Sequence, residues 1–401
     1  MKRLSLTFAL ILMAFTVTFA QFKGSPSKAR AYMDKGELAN AKGELDAYLN
    51  GDKFKKKPKA SGYLLQAEIY KAIAISDKEE DLALLDDPVG QALAAFEKVK
   101  GMVKENSPEY KKIYDNQGID PATFQPVPGM LEQFKNHFFQ KGADLYNNDQ
   151  DYTGAKKAFE TCYQIFPTDT TAALYAFSCA QQDEDEAGMK KSFAKLAELN
   201  YPKEGPYLSM ARLHFSKGIE LADEDKKDEA KKEYQKMLEM ANMGLKAAPS
   251  SIDLVKFQIE SYIRLDRTDD AINLLAETVK KNPQDSISFF SLGALYDGKG
   301  DFEKAEENYK KALEIAPNYY SANLNFAAFY IQRANDIKKG LEDLVGPTGA
   351  YTDQAKADKI EAEYRELLGK SLPYLKKCNS LQPDDTEVKD NIESIESILK
   401  D

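Results

Sequence analysis

The chain has 401 residues with 55 basic and 65 acidic side chains, a net charge of −10 and no tryptophan. That acidic balance repels a phosphate backbone and argues against nucleic acid as a partner. Two histidines and three cysteines offer neither a Cys/His zinc cluster nor a disulfide framework, so the fold has to rely on packing.

Residues 1–20 read as an export signal. Lys2 and Arg3 precede an apolar run from Leu4 to Val17, and Thr18-Phe19-Ala20 supplies the cleavage positions before Gln21. No cysteine follows that run before Cys162, which argues against a lipoprotein signal. No later stretch approaches the ~18 apolar residues of a membrane span. The mature chain is therefore expected to be exported and soluble, without integral membrane insertion. It keeps 65 acidic against 53 basic side chains, because cleavage removes Lys2 and Arg3 and leaves a net charge of −12.

Beyond the signal, small and apolar residues recur at helical spacing in pairs of helices. Ala29, Tyr32, Gly36, Ala41 and Leu45 form the first pair. Tyr63, Ala67 and Tyr70 begin the second, which resumes after an insertion with Ala92, Phe96 and Val99. Pro108, Pro121, Pro126 and Pro128 then crowd a stretch containing Asp115-Asn116-Gln117-Gly118, which is loop composition. It predicts N-terminal hairpins over 21–115, a proline-rich loop over 116–130 and a longer array over 131–383. One continuous array carrying a large loop is the equal alternative.

The array opens with Phe139, Ala143, Tyr146, Ala155, Phe159, Cys162 and Pro167. A degenerate unit over 170–203 has its small residues shifted, yet Phe193, Leu196 and Ala197 still make one buried face. Tyr207, Met210, Ala211, His214 and Gly218 give another first helix, followed by a longer connection to Pro249. Tyr262, Ala271 and Pro283 each lie 34 residues before Tyr296, Ala305 and Pro317. The fullest unit reads Phe289, Leu292, Gly293, Tyr296, Gly300, Ala305, Tyr309, Ala312, Pro317. Gly293 is small where the second helix comes close, Gly300-Asp301 makes the turn, and Pro317 ends the second helix. The last unit starts near Tyr320, is split by an insertion over about 334–358 around Gly346-Pro347-Thr348-Gly349, and resumes with Ser371, Leu375, Cys378 and Pro383. Val388, Ile392, Ile395 and Leu399 make the apolar stripe of a capping helix over 384–401.

These residue types at this period resemble the tetratricopeptide repeat, over nearly the whole mature chain. The chain as a whole resembles exported tetratricopeptide proteins of Bacteroidota. The resemblance implies an all-α fold, a right-handed superhelical solenoid of stacked helix-turn-helix hairpins. It also implies a non-catalytic periplasmic scaffold or adaptor, whose partners are envelope proteins or peptides and which needs no cofactor. First helices line the concave face in this fold. Following the helical phase, that face carries Leu208, Arg212 and Phe215, then Lys256, Glu260 and Ile263, then Phe290, Ala294 and Asp297, then Leu324, Ala328 and Ile331. Its large apolar residues suit an extended peptide or a partner helix, the alternative being that a neighbouring helix or the 334–358 insertion covers them. Some relatives hold a C-terminal carboxylate with paired Lys and Asn, but Phe290 and Ala294 are apolar here and that clamp is not carried over.

Catalytic and metal constellations are scarce. His137 and His214 are far apart, and no phosphate loop or nucleophile elbow appears. Ser192 and Lys195 fit Ser-x-x-Lys, a spacing common by chance in a lysine-rich helical protein. Asp183-Glu184-Asp185-Glu186 loosely resembles the start of a calcium loop, but its twelfth position is Ala194, which cannot close the site. Cys162 and Cys179 lie in consecutive helices, where a bridge is conceivable. A glycan- or peptidoglycan-binding repeat protein is the alternative function, with tyrosine in place of the missing tryptophan as stacking platform.

Overall fold

A computed structural model describes residues 22–51, 59–115, 127–345 and 350–400. The signal expected over 1–20, positions 116–126 of the proline-rich loop and Gly346-Pro347-Thr348-Gly349 lie outside the described residues. Among the described residues the protein is all-α, with nineteen α-helices, one π-helical turn and a single antiparallel bridge between Val345 and Tyr351. No described helix is long and apolar enough to cross a membrane.

The chain divides into two compact units at Pro206–Tyr207. The first contains α1 (Pro26–Asp34), α2 (Leu38–Asn50), α3 (Ala60–Ala74), the short α4 (Glu79–Leu82), α5 (Pro88–Lys100), α6 (Pro108–Tyr114), α7 (Met130–Asp144), α8 (Tyr152–Ile165), α9 (Thr170–Gln182) and α10 (Glu186–Glu198). Here α1 packs on α2, α3 on α5, α7 on α8, α8 on α9 and α9 on α10. The degenerate stretch is thus a regular hairpin, with Ala172, Ala176, Met189, Phe193 and Leu196 buried. The proline-rich stretch does not interrupt the core: Ala92, Phe96 and Ile113 share one apolar cluster with Met130, Phe134 and Ile165.

The second unit is built from α11 (Gly205–Asp223), which starts at the junction, α12 (Lys227–Ala247), α13 (Ile252–Arg264), α14 (Thr268–Lys281), α15 (Ser286–Gly298), α16 (Phe302–Ile315), α17 (Tyr320–Glu342), α18 (Gln354–Leu381) and α19 (Thr386–Lys400). From α12 onward each helix packs on the next, and α15 also touches α17. The 334–358 insertion largely lengthens the hairpin of α17 and α18. Ala334 and Ala357 are buried, and the Leu344 carbonyl accepts from both the N–H (2.7 Å) and the hydroxyl (3.0 Å) of Thr352. The terminal α19 buries Val388 and Ile395 against the preceding helices, as a capping helix does.

Local chemistry sets the helix ends. Asp151, Asp169, Asp185 and Asp285 each turn a carboxylate back onto the N–H three residues on, at 2.8–3.1 Å, satisfying donors the first helical turn leaves free. The acidic run 183–186 is used this way, with Asp183 accepting from the Thr153 hydroxyl at 2.7 Å. Within the hairpins, the connecting turn holds one residue in the left-handed region: Gly36, Gln150, Glu184, Asp225, Asp266 and Gly300.

The hairpins close by a repeated contact. A Cβ at Gly218 or Gly293 would fall 2.3 Å and 2.7 Å from the rings of Tyr234 and Tyr309 in the following helix. In the α7–α8 hairpin that place belongs to Gly142, 3.0 Å from the Phe159 ring, and not to the Ala143 expected from the spacing. The first helix is shifted by one residue in its contact, and the shift is taken up as the π-helical turn Leu145–Asp149. The closing hydrogen bond shows the same shift: Asp301 N–H reaches back five residues to Tyr296 O, whereas Asp151 N–H reaches six, to Leu145 O.

All three cysteines are buried free thiols, so Cys162 and Cys179 are not bridged. Burial pushes Cys162 and Cys179 up to about 12 and Cys378 to about 11, far from the thiolate form that reacts. A disulfide reagent at about pH 8 is therefore expected to find no fast thiol in the native chain and all three in denaturant. One fast native thiol would contradict this burial.

Candidate protein-binding surface

The predicted surface residues lie on α11, α13, α15 and α17, all in the second unit. Leu208 and Phe215 are half-buried on α11 and Arg212 is exposed. The Phe215 ring meets Phe257 of α13 edge-on at 6.3 Å, and the Arg264 guanidinium lies 5.9 Å from its centre. Arg264 also bonds Glu260 at 2.8 Å. The structure thus joins Phe215 and Glu260 through Arg264. Lys256 is exposed and pairs with Asp253 of its own helix at 2.9 Å.

Phe290, Leu324 and Ile331 come together. All three are partly buried at the edge of one cluster built on Tyr309, Phe326, Phe329 and Tyr330. The Phe290 ring sits 6.2 Å from Tyr309 and 5.2 Å from Tyr319, the residue that precedes α17. Such half-covered side chains present one edge outward while the other is fixed by packing, so their orientation is set before any ligand arrives.

Two residues missing from the sequence reading belong with this group. Ile287 is 59% exposed and lies three residues before Phe290 and seven before Ala294, on the same helical stripe. Its spacing was sufficient to find it. Arg333 lies over the rings of Phe302 (4.8 Å) and Phe329 (5.6 Å), an arrangement no local pattern announces. Burial holds the Asp297 carboxyl above the usual carboxylate range, against the opposing pull of Arg333.

Elsewhere the polar groups explain themselves structurally. His214 is buried and its Nδ1 lies 2.7 Å from Glu233 Oε2, while Lys236 donates to the other oxygen at 2.6 Å. Burial pushes the Glu233 carboxyl up, but the bonds from Lys236 and His214 prevail and hold it below its ordinary value. Ser192 is sealed in the core and Lys195 pairs with Glu198, so the two do not form a nucleophile–base pair. Among the described residues no three His, Cys, Asp or Glu side chains assemble into a metal site.

Residues 286–319, the hairpin of α15 and α16 with Gly293 against Tyr309, match the family model of the tetratricopeptide repeat. The chain carries a tetratricopeptide repeat. Such repeats are a framework for protein–protein contact, and the matched unit contains Ile287, Phe290 and Asp297. Over 124 residues the chain is 37% identical to heat shock protein STI1 of Saccharomyces cerevisiae, covering 30% of this chain but only 20% of the yeast protein. Among solved structures it is similar to a TPR repeats protein of Bacteroides fragilis, at 16% identity and a TM-score of 0.30, over 66% of this chain and 98% of that one. A thermophilic TPR protein of Thermus thermophilus aligns at 18% identity and a TM-score of 0.31, over 49% of this chain and 98% of that one. Scores this low carry neither a ligand nor a curvature across.

Proposed function

We propose that this protein is a non-catalytic scaffold or adaptor of the cell envelope, acting in the periplasm after removal of residues 1–20. In this reading the tetratricopeptide hairpins of the second unit hold an envelope protein or one of its peptides. The observation that carries it is the apolar group Phe290, Leu324 and Ile331, held half-covered on adjacent hairpins, with the exposed Ile287 one turn before Phe290 and with Asp297 and Arg333 close by. A partner's apolar side chains would complete the covering of these residues, and hydrophobic burial drives the contact against the cost of association. Leu208, Arg212, Phe215, Lys256 and Glu260 extend the contact along α11 and α13, where the paired charges favour one register of the partner over another.

The test is affinity capture from the native envelope with residues 21–401, beside two variants, Leu208→Ala/Phe290→Ala and Ile287→Asp. Ile287 is the more exposed side chain, so its substitution leaves the fold intact and isolates the surface. Wild type should retain one or two proteins that both variants lose. Equal retention by all three would move the contact elsewhere. Retention of glycan strands by all three in place of proteins would replace the scaffold by the glycan reading. Export is tested by fractionation: a periplasmic chain starting at Gln21 is expected, and an intact chain held in the membrane would overturn cleavage.

A further inference from the structure

The first unit contains a cleft of about 420 Å³ between the end of α3, the short α4, the start of α5 and α7. That volume lies in the range of small-molecule sites. Its apolar lining comes from Ile75, Leu82, Leu85, Val89 and Phe138. Five polar side chains stand among them: Ser76 from the bend after α3, Asp86 and Asp87 from the turn between α4 and α5, and His137 and Lys141 from α7.

The chain is fixed around this cleft. The Ser76 hydroxyl donates to Asp81 at 2.7 Å and accepts the Lys78 N–H at 3.2 Å, which closes the bend after α3. Leu85 is buried in the cluster below. Asp87 caps α5, accepting the Gly90 N–H at 3.0 Å. By contrast, Asp86 is exposed and has no hydrogen bond or ion pair among the described residues. The same is true of Lys141, one helical turn beyond His137. The His137 ring is held edge-on to Phe138 at 5.3 Å. Burial, aided by Lys141, holds its pKa below the usual histidine value, although Asp77 opposes this. Near pH 7 the ring is therefore neutral, with nitrogens able to donate or accept.

An apolar cavity with an uncommitted carboxylate on one wall and an uncommitted ammonium on the other selects for a dipolar guest. A plain cation leaves Lys141 unanswered and a plain anion faces two aspartates, while an apolar guest alone desolvates charges without replacing their partners. We propose that this cleft binds a free α-amino acid with an apolar side chain. Its ammonium meets Asp86, its carboxylate meets Lys141 and the His137 ring, and its side chain fills the space lined by Ile75, Leu82, Val89 and Phe138. The proposal stands independently of the scaffold reading.

Calorimetric titration of residues 21–401 with L-phenylalanine tests it, beside phenethylamine, which lacks the carboxylate, and 3-phenylpropionate, which lacks the ammonium. Saturable binding of L-phenylalanine is expected, with each truncated ligand weaker by about tenfold or more, the size of one lost charged contact. Asp86→Asn should weaken L-phenylalanine by a similar factor and leave 3-phenylpropionate unchanged or stronger. Lys141→Met should weaken L-phenylalanine and spare phenethylamine. Both are surface substitutions and leave the fold in place. Val89→Trp, checked for folding by circular dichroism, should fill the cleft and abolish binding. No saturable binding of L-phenylalanine up to about ten millimolar, weaker than nearly any specific site, would overturn the proposal. So would phenethylamine binding as tightly as the amino acid, or binding that survives Val89→Trp in a folded chain.

Discussion

Gly293→Leu is expected to unfold the hairpin of α15 and α16. At this position even a bare Cβ would come within 2.7 Å of the Tyr309 ring. The ring cannot retreat easily: it is 2% exposed and packs against Phe290, Phe326 and Phe329 with centroids 5.3–6.2 Å away. Overpacking a filled core costs about 1–3 kcal/mol where neighbours can shift, and more where they cannot. A leucine between two packed helices belongs at or above the upper end. Hydrogen exchange across 286–319 should rise toward the unprotected rate, with a lower and broader thermal transition by circular dichroism. Tyr309→Ala placed on top of Gly293→Leu should recover part of the loss, because the second change removes the atoms the first one strikes. An unchanged melting temperature in Gly293→Leu would show that the helices do not meet at this register.

The same contact shows how far the sequence could be read. Glycine and aromatic types at a fixed spacing identified Gly293 and Tyr309, because a close helix crossing tolerates few side chains on one side and is filled by a large one on the other. At Phe159 the spacing pointed to Ala143, while the structure uses Gly142. The one-residue shift is hidden in a π-helical turn whose composition, Leu-Tyr-Asn-Asn-Asp, resembles any other polar helix end. Turn positions were legible only where glycine marks them, at Gly36 and Gly300. Gln150, Glu184, Asp225 and Asp266 adopt the same left-handed conformation without such a marker. Gly346-Pro347-Thr348-Gly349 marked the insertion over about 334–358, but not that helix continues to Glu342 and resumes at Gln354.

The candidate surface divides in a similar way. Helical phase put Phe290, Leu324 and Ile331 on related faces, since periodicity depends only on position along the chain. Their depth depends on what the next hairpin places beside them, such as the Tyr319 ring against Phe290, and periodicity is blind to that. The Asp86–Lys141 cleft was invisible for the same reason. Its two walls are more than fifty residues apart in sequence, a separation on the order of several helices that no local pattern spans.

Phe134→Ala should cost about 3–5 kcal/mol, the usual range for emptying a fully buried phenylalanine site. The ring is 0% exposed, 6.5 Å from Phe96 of α5 and 5.5 Å from Phe138 of its own helix. Around it, Leu64, Ala67, Ala92 and Val99 from before the proline-rich stretch meet Met130, Leu131 and Ile165 from after it. A cavity here removes contacts on both sides at once. Hydrogen exchange should therefore accelerate in α3 and α5 as well as in α7. Acceleration confined to 130–144, with 60–100 keeping its full protection, would mean that the residues before the proline-rich stretch fold as a separate unit. Neighbouring hairpins in a repeat array stabilise one another through shared side chains, so damage at an interface spreads to both members. Phe134 is such an interface residue, and the two outcomes decide whether the chain folds through the proline-rich stretch or stops there.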